Sequence, residues 1–199
     1  MSKARIATFA AASITAVLLL TGCSSTPSGT ESSGSSSVPS AEVSAEANAA
    51  DEMFATMMIV HHEQAIEMSD VILAKNSVDP AVTELAQKIK DAQGPEIDRM
   101  NDWLKAWGAS APDMGGMDHG DGMGGMMSEE DMAALEAADG PTASRLFLEQ
   151  MIQHHEGAVE MAEAQVKDGR NTNAVELAEQ IIEAQTAEIQ EMQEMLKSL

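Results

Sequence analysis

Two histidines stand side by side in "MMIVHHEQAIEM", Met57 to Met68, and again in "QMIQHHEGAVEM", Gln150 to Met161. In each copy a methionine lies three residues before the first histidine: Met58, His61 and His62 in one, Met151, His154 and His155 in the other. On an α-helix that step brings a thioether and an imidazole onto one face. Carboxylate-bridged di-iron bundles use Glu-x-x-His at the same spacing. Methionine in place of the glutamate shifts the expected chemistry, because thioether and imidazole suit Cu(I) far better than hard iron or magnesium.

A second seam follows each pair. Ile89, Gln93, Glu96 and Met100 share a helical face, as do Ile181, Gln185, Glu188 and Met192. An amide and a carboxylate thus interrupt an apolar stripe, and buried polar groups need partners. Counted from the turns near Asn76 and Gly169, Gln93 stands at the height of His61 and Gln185 at that of His154, at about 1.5 Å per residue. The expected site is one polar belt of His, Gln, Glu and Met across an apolar core. A reading without metal is open as well: the same groups form a self-satisfied network that fixes helix register.

A third set of soft donors lies in "DMGGMDHGDGMGGMM", where Met114, Met117, His119, Met123, Met126 and Met127 alternate with glycines. Inside helices, methionine usually fills gaps in a core. A Gly-rich loop offers no gap to fill, so these residues are expected to form a secondary, weaker metal loop.

The elements that must hold the belt are helical. Tyrosine is absent, aromatics make up 3% of the chain, and no run of alternating β-branched residues supports a strand. Apolar periodicity predicts helices over about 49–75, 80–107, 142–167 and from 172 to the end. Asp79-Pro80 caps and starts the second, "DGRN" turns the third into the fourth, and Gly94-Pro95 should cost the second a hydrogen bond and bend it. "FATMMIVHHEQAIEM" matches "FLEQMIQHHEGAVEM", and "ELAQKIKDAQGPEIDRM" matches "ELAEQIIEAQTAEIQEM". Two repeated hairpins joined by a long connection predict an all-α four-helix bundle with a crossover. The domain is 49–199: repeat one 49–107, crossover 108–141, repeat two 142–199.

Ahead of it, Lys3 and Arg5 lead into an apolar run and "LTGC", read as a secretory signal over 1–22. The ending resembles a bacterial lipobox, which makes Cys23 the lipidated first residue of the exported protein; an ordinary cleaved signal with a free Cys23 is the other reading. Residues 23–48 are Ser-rich and too poor in large apolar groups to offset ordering entropy, so they form a flexible tether. The protein is expected outside the cytoplasmic membrane or in the periplasm, anchored by its lipid. With 33 acidic and 11 basic residues and a net charge of −22, nucleic acid is excluded as a natural partner.

From Asp51 to Leu199 the sequence resembles the secreted, often duplicated ferritin-like family catalogued as domain of unknown function 305. The residues that carry the resemblance are Met58, His61, His62, Ala65 and Met68 with Gln93, Glu96 and Met100, and in the second copy Met151, His154, His155, Ala158 and Met161 with Gln185, Glu188 and Met192. The resemblance implies a ferritin-like bundle and, as in some members, copper binding and tolerance. Gly157 stands where the first copy has Gln64, and Gly94-Pro95 has no counterpart in the second, so the halves are not expected to be equivalent. Two functions follow from these readings: a non-catalytic Cu(I) binder that sequesters or hands on copper, and a redox enzyme acting on Cu(I) or peroxide. A centre crowded with Met and His has few groups left for acid–base work, which favours binding.

Overall fold

The computed structural model describes residues 46–109 and 124–199, whose regular structure is entirely helical. Its elements are α1 (Ala49–Leu73), α2 (Pro80–Trp107), α3 (Glu129–Ala137), α4 (Gly140–Asp168) and α5 (Thr172–Ser198). The four long helices lie where periodicity puts them. Asp79 caps α2 by accepting from the Ala81 N–H at 2.8 Å, as its position before Pro80 suggests. The helix runs on through Pro95. Asp91 and Pro95 are both exposed, on a face where water can serve the carbonyl left without a donor.

The short α3 departs from the expectation of a plain crossover. Its start is written in the sequence, since Ser128 and Asp131 cap each other's backbone N–H groups reciprocally. Nine residues are too few to hold a helix alone. Tertiary contacts supply the rest: Leu135 is fully buried, Gln150 donates to the Asp131 carbonyl, and Lys75 donates to the carbonyls of Glu136 and Ala138.

The two hairpins, α1 with α2 and α4 with α5, meet chiefly through α1 and α4. These run antiparallel, so the apolar interior divides into two clusters. One joins Ala65, Met68 and Ile72 of α1 to Phe147, Leu148 and Met151 of α4, with Ile89 and Met192 from the outer helices. The other joins Phe54, Met58 and Ile59 of α1 to Ala158 and Ala162 of α4, with Met100 and Ile181. Phe54 and Phe147, like Met58 and Met151, are equivalent positions of the repeat that lie in opposite clusters. Between the clusters sit the histidines.

Candidate metal centre

His61, His62, His154 and His155 lie at mid-helix on α1 and α4, and all four are buried. Ala65 and Ala158, both fully buried, keep the seam between these helices narrow. The rings of His61 and His154 meet across it with centroids 3.7 Å apart and planes inclined by 39°. The second histidine of each pair turns to its own hairpin partner. His62 Nε2 donates to Glu96 Oε2 at 2.8 Å, and His155 Nε2 donates to Glu188 Oε2 at 2.9 Å. A carboxylate only accepts, so each of these rings carries a proton on Nε2, and in the neutral form it keeps a lone pair on Nδ1.

That lone pair is unused. Among the described residues, both ring nitrogens of His61 and of His154, Nδ1 of His62 and of His155, and Oε1 of Gln93 and of Gln185 are buried without a hydrogen-bond partner. Leaving such atoms unpaired costs about 1–3 kcal/mol each. The two His–Glu contacts do not account for the six other buried imidazole nitrogens.

Burial also favours the neutral form of His61, His154 and His155. His61 is pushed down to about 3 by desolvation first, then by positive charge on His62 and His155, with the Gly124 backbone opposing. His154 lies well below its ordinary value, through desolvation and then the charges of His61, His155 and His62. Desolvation likewise lowers His155, against the pull of Glu188. For Glu188 burial acts to raise the pKa, but the His155 hydrogen bond and the charges of His155 and Lys88 outweigh it and hold the carboxyl below its ordinary value. Neutral imidazole is the form that binds metals. Among the described residues no three His, Cys, Asp or Glu side chains group as a metal site. Met58, Met100, Met151 and Met192, all fully buried, carry thioethers, which are soft donors, on the faces of the same four helices.

Of the expected belt, the structure pairs His61 with His154, His62 with Glu96 and His155 with Glu188, and buries Gln93, Gln185 and the four methionines, with two inequalities. The Glu96 side chain is 25% exposed, whereas that of Glu188 is 9% exposed and also meets Lys88 Nζ at 3.5 Å. Cys23, the signal 1–22, the tether up to residue 45, and Met114, Met117, His119 and Met123 lie outside the described residues. Met127 corrects the expectation for the loop: it is 4% exposed and packs in the cluster of Met68 and Met151, while Met126 is half-buried. Its backbone is gripped by Gln64, whose amide donates to the Met127 carbonyl at 2.9 Å and accepts from the Met127 N–H at 2.7 Å. Neither this grip nor the Lys88 contact was foreseen. The signal for the first was the exchange of Gln64 for Gly157 between two otherwise similar copies.

The family model described as "Domain of unknown function (DUF305)" matches residues 51–196. Among solved structures, a DUF305 protein from Streptomyces coelicolor, described as secreted, is 34% identical with a TM-score of 0.68, the match covering 75% of this chain and 91% of that one. A DUF305 fragment from Deinococcus radiodurans is 32% identical with a TM-score of 0.71, covering 78% of this chain and 100% of that one. CopM in its Cu(II)-bound form is 34% identical with a TM-score of 0.66, covering 74% and 96%, and CopM has also been solved bound to Cu(I) and to Ag. No curated protein matches the chain.

Proposed function

The chain belongs to the DUF305 family, and on that footing we propose that it binds copper, as Cu(I), for sequestration or transfer in copper homeostasis or tolerance outside the cytoplasm. One observation carries the reading: the facing, neutral imidazoles of His61 and His154 at the centre of the bundle, which have no hydrogen-bond partner among the described residues. In this reading both of those rings are ligands. His62 and His155 offer Nδ1, oriented by Glu96 and Glu188. Met58, Met100, Met151 and Met192 offer sulfur, and Gln93 and Gln185 offer amide oxygen. The copper and silver forms of CopM support the choice of metal.

Copper is cargo here rather than a catalyst. The belt's carboxylates are committed to His62 and His155, which leaves little to move protons for turnover. Export and attachment rest on the leader and on a lipid at Cys23, and the description of the Streptomyces relative as secreted supports the first. No helix among the described residues is long and apolar enough to cross a membrane.

The test is anaerobic titration with Cu(I) against a competing chelator, beside Zn(II) and Fe(II). Tight Cu(I) binding is expected. His61→Ala or His154→Ala should weaken it by more than the roughly 10–100-fold that outer partners of a metal site contribute, while His119→Ala should change it little. Tight loading by Fe(II) with none by Cu(I) would sink the proposal. Normal copper binding by His61→Ala, with only a loss of thermal stability, would return the belt to a structural role.

A further inference from the structure

After the crossover, Gly124 to Met127 lie over the seam between α1 and α4, outside any helix. Gly125 has φ +84°, and a Cβ on it would stand 2.5 Å from the Gln153 carbonyl oxygen and 3.0 Å from that of His154. A Cβ on Gly157 would fall 1.8 Å from the Gly124 carbonyl oxygen. Backbone can approach backbone this closely only where both surfaces are glycine. From the α1 side, Gln64 grips Met127 through both its N–H and its carbonyl. The segment therefore rests on α4 by glycine contact and is held to α1 by an amide clamp.

Its position relative to the histidines follows. Gly125 lies against the backbone of His154, whose ring meets that of His61. His61 and His154 are 0% and 1% exposed, so an ion reaches or leaves them only if something moves. The helices α1 and α4 that carry them are held by backbone hydrogen bonds along their length. Two side-chain to backbone hydrogen bonds, the glycine contact and the buried Met127 side chain hold the segment. Gln64 and Gly157 are equivalent positions of the repeat, and glycine in mid-helix carries an entropic cost. The internal symmetry is broken at Gln64 and Gly157, a pair of positions that meets this segment from both sides.

Resting on the copper reading above, we propose that Gly124–Met127 is the cover of the His61–His154 pair, and that Gln64 and Gly157 set the rate at which a soft monovalent ion enters and leaves it. Neither residue is a ligand. Loosening the cover speeds both directions of exchange and leaves the equilibrium of the central site unchanged.

The experiment uses the full chain loaded with Cu(I) under anaerobic conditions and mixed with excess bicinchoninate, whose absorbance reports transfer. Two variants loosen the cover differently. Gln64→Ala removes the clamp and adds no bulk; Gly157→Ala keeps the clamp and drives a methyl group against Gly124. Both should transfer copper on the order of tenfold faster than the wild type, as expected when about two modest hydrogen bonds or their equivalent are lost, with unchanged stoichiometry of the tightest class. A metal-free readout runs beside it: hydrogen exchange at the Met127 amide should quicken in Gln64→Ala. If that amide quickens while transfer stays at the wild-type rate in both variants, the segment is not the cover. If the amide is as protected in Gln64→Ala as in the wild type, Gln64 does not hold it and the proposal fails there. A wild type that takes up no Cu(I) overturns the copper reading and this one together, whereas full loading with unchanged transfer rates overturns the cover alone.

Discussion

The four histidines are alike in sequence and divide into two roles by what their nitrogens meet. His62 and His155 are oriented by carboxylates, whereas His61 and His154 face each other with no hydrogen-bond partner for their ring nitrogens among the described residues. This arrangement has a cost that depends on pH. Unfolded, each imidazole takes up a proton near its ordinary pKa; folded, His61 does so only at about 3 and His154 also well below its ordinary value. As pH falls from about 6.5 toward 3 the unfolded chain therefore binds protons that the folded one does not, and stability drops with acidity. A ring contributes up to about 1.4 kcal/mol per pH unit between its unfolded and folded pKa values. Urea denaturation of the metal-free protein between about pH 6 and pH 4 should show this slope, and His154→Gln should be flatter by about one ring's share. An identical slope in the variant would mean that His154 is protonated in the folded state.

At the scale of elements, α1 is tied at its start to the turn between α4 and α5. Asp51, fully buried, accepts from Gln165 Nε2 at 2.6 Å, from the backbone N–H groups of Arg170 and Asn171, and from Asn48 in a reciprocal cap. This fixes the register of α1 against the second hairpin, on which the meeting of His61 with His154 depends. Asp51→Ala leaves several buried donors without an acceptor and should cost about 3 kcal/mol in denaturant unfolding. It should also loosen copper binding, although Asp51 lies more than two helical turns from His61 and is no ligand. A loss below about 1 kcal/mol would show that the turn is held by other contacts. The role of Asp51 as receptor for a turn more than a hundred residues away carries no local signal in the sequence.

For the molecule as a whole, the repeat produces two apolar clusters with a polar belt between them, and the crossover breaks the symmetry. The burial of Met127 alters what a loop deletion can test. Removing residues through Met127 would take away part of the core and the cover, so the informative deletion is 114–123, bridged by Gly and Ser. We expect it to lower the number of copper ions bound while leaving the tightest class and the helical circular dichroism unchanged. Ions captured on a glycine-rich chain must also order it, which offsets part of the bonding. Loss of the tightest class with helicity intact would make the loop the main receptor.

Much of this was legible in the chain itself. Helical periodicity, caps and an internal repeat determined four long helices in two hairpins. Met-x-x-His-His with Gln-x-x-Glu determined a polar belt on their inner faces, because residues three and four apart share a face whatever the fold around them. Which histidine of each pair faces its twin was not legible. His61 and His62 are both inward by periodicity, and only the angle at which α1 meets α4 sends one ring across the seam and the other toward Glu96. The burial of Met127 and the docking of α3 were equally hidden, since a short capped segment among glycines takes its place from the surface it lands on. Gln64 and Gly157 show the division most clearly. The sequence records that the copies differ there, and the tertiary contact with Gly124, Gly125 and Met127 supplies the reason, a backbone that must pass where a side chain would otherwise stand.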